Sequence, residues 1–215
     1  NRGEIACRIL RSARAMGLRT VAVYSEADRD ARHAALADVA VPIGPSPAID
    51  SYLSVERVLA ACAASGAQAV HPGYGFLSEN AAFARACDEA GLVFVGPPAA
   101  AIELLGDKRA AKQLAGRIGV PCLAGYGGDD QSPAALAREA ARLGAPLMIK
   151  AAAGGGGRGM RRVDDLADFD AARAAATSEA QAAFGSGALL LERLVHHARH
   201  VEVQALADRF GHCIH

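Results

Sequence analysis

Apolar positions along the chain recur with two spacings, and the alternation between them lays out the elements. Ile5, Ile9, Leu10, Ala13 and Met16 share one helical face, with Gly17 as the stop. Thr20-Val21-Ala22-Val23-Tyr24 then reads as a strand. Residues 54–65 predict a helix with Ser54 as N-cap and Gly66 as stop, followed by the strand Ala69-Val70-His71. Residues 80–90 predict another helix, closed by Gly91, and Leu92-Val93-Phe94-Val95 reads as a buried strand. Short strands alternating with helices predict a parallel sheet with helices on both faces, an α/β arrangement.

Beyond residue 105 the pattern changes. A helix from about residue 108 to 118 ends at Gly119, and residues 122–132, with Gly125, Gly127, Gly128, Asp129 and Asp130, read as a linker. From Pro133 the order is helix, strand, glycine loop, strand, a helix starting near Asp164 or Asp165, and the strand Leu189-Leu190-Leu191-Glu192. Residues 200–206 alternate as a half-buried strand, Asp208-Arg209-Phe210-Gly211 reads as a turn, and a returning strand has barely begun at His215. A helix with no strand before it and a hairpin broken off suggest that both ends are cut and the chain is a fragment.

The richest chemistry lies in residues 150–160, Lys-Ala-Ala-Ala-Gly-Gly-Gly-Gly-Arg-Gly-Met. They follow Pro146-Leu147-Met148-Ile149, which reads as a buried strand ending on a lysine. Consecutive glycines let a backbone approach a ligand and turn its N–H groups inward, and the flanking cations, Lys150 and Arg158, favour phosphate. Gly154, Gly156 and Gly159 satisfy G-x-G-x-x-G, yet Met160-Arg161-Arg162-Val163 reads as a strand and not as the helix a dinucleotide fingerprint opens. No Gly-Lys-Ser/Thr follows, which excludes a Walker loop. Strand, glycine loop, strand describes a hairpin flap that folds over a nucleotide and excludes water.

Charge and composition narrow the classes. Lys plus Arg (23) equals Asp plus Glu (23), so no global field favours nucleic acid or an anionic membrane. No apolar stretch approaches the roughly 20 residues of a membrane span. The five cysteines, Cys7, Cys62, Cys87, Cys122 and Cys213, are scattered and show no C-x-x-C. They read as small buried residues of a reducing compartment, the cytoplasm. His196, His197 and His200 are spaced like metal ligands, but nothing completes a tetrahedral set and no metal is assigned there.

Asn1-Arg2-Gly3-Glu4-Ile5-Ala6, the decapeptide His71-Pro72-Gly73-Tyr74-Gly75-Phe76-Leu77-Ser78-Glu79-Asn80, Gly106-Asp107-Lys108, the glycine loop and Arg199-His200-Val201-Glu202 occur together in biotin carboxylases. Essentially the whole chain resembles the N-terminal half of the biotin carboxylase region of an acyl-CoA carboxylase α subunit. It is most similar to the methylcrotonyl-CoA and geranyl-CoA members. The resemblance implies a Rossmann-like preATP-grasp domain (residues 1–105, first strand missing), then an ATP-grasp domain. That second domain would start at residues 106–122, carry a glycine-rich lid at 123–192 and continue, truncated, through 193–215.

Implied with it is a ligase that spends ATP to make carboxyphosphate from bicarbonate and so carboxylates biotin on a carrier domain. Lys108, Lys150, Gly156, Gly157, Glu192, Arg193, Leu194, Val195 and His200 would then bind ATP. Glu192 would accept from the adenine amino group, residues 193–195 would read the adenine edge, and His200 would face the ribose or phosphates. No catalytic residue is implied within the chain beyond Tyr74 and Glu79, at the bicarbonate and biotin end; Tyr74 also reads as ordinary turn packing. The magnesium ligands would lie beyond residue 215, leaving the fragment alone inactive. Partners implied are the biotin carboxyl carrier domain, a carboxyltransferase subunit and a second copy in a homodimer. Arg193, Ala198 and Ala153 depart from the usual lysine, proline and glycine. The rival readings are another ATP-grasp ligase, carbamoyl-phosphate-synthetase-like, and a non-catalytic nucleotide-binding module.

Overall fold

A computed structural model describes residues 1–153 and 159–215. Its chain divides into two units, Asn1–Leu114 and Ala115–His215. The first runs α1 (Gly3–Ala15), β1 (Val21–Tyr24), α2 (Arg32–Leu36), β2 (Val39–Pro42), α3 (Val55–Ser65), β3 (Ala69–Val70), α4 (Ala81–Glu89), β4 (Val93–Phe94) and α5 (Ala99–Gly106). α6 (Lys108–Arg117) runs across the division. β1 pairs in parallel with β2, Val21 opposite Val39, and β3 with β4, Ala69 opposite Val93. The parallel pairing expected from the strand–helix alternation is therefore present, in two two-stranded sheets.

Local chemistry fixes the helix ends. Ser54 accepts from the Arg57 N–H at 3.3 Å, and Asn80 accepts from the Phe83 N–H at 2.9 Å, each satisfying a donor the helix leaves open. Gly66 closes α3 in the left-handed region at φ 66°. Two expectations need correction. α1 buries Ala6, Cys7 and Leu10 and leaves Met16 75% exposed, because Met16 sits past the last turn as the C-cap and no longer continues the helical face. Val93 and Val95, expected in a buried strand, are 62% and 44% exposed. Side chains alternate along a strand, so Leu92 and Phe94 turn inward, the Phe94 ring edge-on to Phe83 at 5.8 Å.

The second unit contains β5 (Gly125–Tyr126), α7 (Pro133–Leu143), β6 (Leu147–Ala151), β7 (Met160–Val163), α8 (Phe169–Phe184), β8 (Leu189–Arg193), β9 (Leu206–Ala207) and β10 (Cys213–Ile214). Four strands form one antiparallel sheet in the order β5-β8-β6-β7. Leu147, Ile149, Val163, Leu189 and Leu191 bury one face of it in a single cluster with Leu136 and Ala140 of α7 and Phe169 and Ala176 of α8. No helix among the described residues is long and apolar enough to cross a membrane.

Here too the structure amends the sequence reading. Inside the expected linker, Gly125 and Tyr126 form β5, paired with Glu192 and Leu191. Backbone hydrogen bonds do not require the apolar alternation that a sequence pattern detects. Residues 200–205, expected as a strand, have no regular structure, and the pairing starts at Leu206–Ala207 against Cys213–Ile214. An alternating pattern becomes a strand only where a neighbour completes its ladder. The turn between β9 and β10 is as expected, with Asp208 accepting from the N–H groups of Phe210 at 2.8 Å and His212 at 3.0 Å.

In the first unit Asp38 joins α1 to the start of β1. It accepts from Arg14 at 2.6 Å, from the Thr20 hydroxyl at 2.7 Å and from the Thr20 N–H at 2.8 Å. The Arg14 and Thr20 hydrogen bonds hold its carboxyl far below the usual carboxylate range. A carboxyl depressed on folding stabilises the protein above its unfolded pKa of about 4, and that contribution is lost as pH falls through the lower folded value. Acid titration of Asp38→Asn against the parent should show a smaller loss of stability below pH of about 4. Superimposable acid limbs would contradict this role.

Candidate functional site

Strand register assembles the site. In the β6–β8 pair Lys150 lies opposite Leu190 and Met148 opposite Glu192, so Lys150 and Glu192 are diagonal neighbours on one sheet face. That is the face away from Leu147, Ile149, Leu189 and Leu191, by the alternation of strand side chains. The Lys150 ammonium donates to a Glu192 carboxylate oxygen at 2.5 Å, with side chains only 25% and 12% exposed. A charged pair so sheltered from water is weakly screened. Beyond Glu192 the strand is tied down by its backbone: the Arg193 N–H donates to the Ala124 carbonyl at 2.9 Å and the Leu194 N–H to the Pro146 carbonyl at 3.1 Å.

β6 leads into the glycine loop and β7 leads out of it. The two pair antiparallel with Lys150 opposite Met160, as the strand–loop–strand reading requires. Gly154, Gly155, Gly156, Gly157 and Arg158 lie outside the described residues. The loop is closed at its root, where the Ala151 N–H donates to the Gly159 carbonyl at 2.9 Å. Gly159 has φ 67°, and a Cβ there would stand 2.8 Å from the Ala151 Cβ, so the close approach needs glycine. One carboxylate of α8 grips the same place: Glu179 accepts from the Gly159 N–H at 3.0 Å and from Arg161 at 3.2 Å. Sequence reasoning did not single out Glu179, whose only signal was an acidic residue on an alanine-rich helix.

The remaining sequence-derived positions are spread over both units. Lys150, Glu192, Arg193, Leu194, Val195 and His200 belong to the second unit, and Lys108, Tyr74 and Glu79 to the first. Of these, the structure joins Lys150 to Glu192, while Arg193 ends the same strand and Leu194 and Val195 follow it. His200 is largely exposed and meets Glu202 at 3.1 Å. Lys108 opens α6, where the preceding Asp107 caps the helix by accepting from the Arg109 and Ala110 N–H groups at 2.7 and 3.2 Å. Tyr74 is 63% exposed, its hydroxyl 3.5 Å from Glu4, and Glu79 is exposed. Among the described residues no three His, Cys, Asp or Glu side chains gather to hold a metal ion. His196 and His197 stand with ring centroids 6.5 Å apart. The five cysteines are free thiols.

Two family models match in succession: the biotin carboxylase N-terminal domain over residues 1–102, and the ATP-binding domain of the carbamoyl-phosphate synthase L chain over residues 107–215. The chain belongs to the biotin carboxylase family of ATP-grasp proteins. The methylcrotonoyl-CoA carboxylase subunit alpha, mitochondrial, of Glycine max is 53% identical over all 215 residues, which span 29% of its length. The structure of a biotin carboxylase–beta-gamma-ATP complex from Campylobacter jejuni superimposes with a TM-score of 0.97 at 44% identity, covering 100% of this chain and 48% of that one. The biotin carboxylase domain dimer of the Hydrogenobacter thermophilus 2-oxoglutarate carboxylase, with MgADP, ADP and bicarbonate, gives a TM-score of 0.87 at 45% identity. It covers 91% of this chain and 43% of that one. The preATP-grasp and ATP-grasp fold of biotin carboxylases is therefore the fold of this chain. A biotin carboxylase N-terminal domain over residues 1–102 takes in the decapeptide and disfavours a carbamoyl-phosphate-synthetase-like half.

The sheltered ion pair makes a prediction that needs no ligand. Glu192→Ala removes the counter-charge of a mostly buried ammonium and should destabilise the second unit by about 1–3 kcal/mol. Glu192→Gln, whose amide oxygen still accepts, should cost less. Urea unfolding followed through the two variants checks the order, and equal midpoints for Ala and parent would contradict it.

Proposed function

We propose that this chain supplies the ATP-binding part of a biotin carboxylase. In this reading ATP converts bicarbonate to carboxyphosphate, and carboxyphosphate then carboxylates biotin carried on a partner domain. The observation that carries it is the Lys150–Glu192 pair, held on one sheet face beside the root of a glycine-rich hairpin. A lysine there faces the nucleotide phosphates, and backbone N–H groups of Gly156 and Gly157 run along the triphosphate. Glu192 accepts from the adenine amino group, and Arg193, Leu194 and Val195 read the adenine edge from the extended chain beyond it. Lys108 enters from the central domain, and His200 serves the ribose or phosphate side. Tyr74 and Glu79 border the bicarbonate and biotin end.

Magnesium accompanies ATP in this chemistry and offsets charge at the transferred phosphoryl group. No described residue is assigned to it. Domain limits at residues 1–105, 106–122, 123–192 and 193–215 follow from the same reading. So do the partners: a biotin carboxyl carrier domain, a carboxyltransferase subunit and a second copy of the chain in a homodimer. Free thiols without a disulfide framework suit a reducing compartment, the cytoplasm in this reading.

The full-length protein, given ATP, magnesium, bicarbonate and free biotin, should release phosphate in a reaction that needs both bicarbonate and biotin. Release that ignores both would sink the reading. Lys150→Ala should weaken ATP binding by about 1.5–3 kcal/mol, the range for hydrogen bonds to charged groups. Titration calorimetry on the folded variant measures it, and an unchanged affinity would remove Lys150 from the site.

A further inference from the structure

The decapeptide loop of residues 71–80 contains an unusual backbone. Phe76 adopts φ 46°, a left-handed conformation that costs free energy for a bulky residue, flanked by Gly73 at 72° and Gly75 at 65°. Something outside the loop must hold it there. The Phe76 ring stacks on Tyr52, with centroids 5.3 Å apart and planes 10° from parallel. Across this ring pair lies Arg2, whose guanidinium carbon is 5.3 Å from the Tyr52 centroid and 5.6 Å from that of Phe76. The guanidinium also meets Asp28 at 3.1 Å.

Asp28 is the fixed end of this arrangement. The oxygen that takes Arg2 also accepts from the Tyr52 hydroxyl at 2.8 Å and the Ser25 hydroxyl at 2.9 Å. Ser25 in turn donates its N–H to the Tyr52 oxygen at 3.0 Å. Ser25 and Tyr52 are 0% and 2% exposed, so the anchor is rigid. Burial works to raise the Asp28 carboxyl, but hydrogen bonds from Tyr52, Ser25 and Arg2 outweigh it and keep the group charged. The other leg of the loop is tied by Asn1, whose amide donates to the carbonyls of Pro72 at 2.9 Å and Tyr74 at 2.6 Å.

We propose that Arg2 is a positioning residue: clamped between Asp28 and the Tyr52–Phe76 ring pair, it holds the 71–80 loop in the shape that presents Tyr74 and Glu79. Arginine suits the place because a planar, weakly hydrated cation stacks on two rings while its N–H fork still serves a carboxylate. A lysine ammonium cannot do both. The kinetic consequence rests on the reading that Tyr74 and Glu79 border bicarbonate and biotin; the tether itself does not.

The test uses Arg2→Ala and Arg2→Lys in the full-length protein, read by hydrogen exchange and by steady-state kinetics. Both variants should speed amide exchange at residues 75–78 and leave α8 at its parent rate. Both should raise the KM for bicarbonate or free biotin about fivefold, with the KM for ATP within about twofold of the parent, as expected for loss of a partly exposed cation–π contact. Parent exchange rates at residues 75–78 in either variant would overturn the tether. Faster exchange with unchanged KM for both bicarbonate and biotin would overturn the positioning role. A parent protein with no bicarbonate- and biotin-dependent ATP cleavage would sink the functional reading, and the exchange data would still decide the tether. Should Arg2→Ala fail to fold, Phe76→Leu removes the stack from the loop side and makes the same comparison.

Discussion

The pairing register of β6 against β8 governs the second unit. Leu147, Ile149, Leu189 and Leu191 must face α7 and α8, because that is the surface the helices cover. Strand side chains alternate, so the same register sends Lys150 and Glu192 to the opposite face and sets them on a diagonal. A slip of one residue in β6 would drive Lys150 into the apolar cluster and turn Leu147 and Ile149 to the other face. Apolar burial, at roughly 25 cal/mol per Å² of area removed from water, makes that exchange prohibitive. The position of the charged pair is thus a consequence of core packing and needs no separate device.

Backbone chemistry reinforces the register from the side. β5 adds a neighbour to β8, and the Gln131 side chain accepts from the Leu189 N–H at 2.8 Å while donating to the Gly128 carbonyl at 2.8 Å. At the far end of the hairpin the Ala151–Gly159 hydrogen bond and the Glu179 clamp close the loop root. Each acts on main-chain groups, whose partners are obligatory once water is excluded.

These contacts explain what the sequence disclosed and what it concealed. Helix ends were legible at Ser54, Asn80 and Gly66 because a cap acts over three or four residues. β6 and β8 were legible as apolar strands and β7 as the strand that follows a glycine run. β5 was not, since a Gly-Tyr pair carries no period and its partner lies more than sixty residues on. The apparent strand at 200–206 failed for the converse reason: alternation was present, but pairing begins only at Leu206. Glu179 and Arg2 were hidden by distance, each acting across a fold that local patterns do not describe.

The first unit solves its positioning problem by other means. Its buried residues form separate small clusters around Tyr52, Phe83 and Ile102 instead of one continuous core. A loop with Gly73 and Gly75 has much backbone freedom to lose, and Leu77 is the one member of residues 71–80 that is buried. Apolar packing alone therefore supplies little to hold it. The asparagine amide at one leg and the stacked arginine at the other replace that packing with directional contacts. Directional contacts specify a conformation more sharply than burial does, because they weaken steeply with distance and angle. A left-handed phenylalanine survives only where such contacts over-determine the backbone, and here they come from the residues that precede α1.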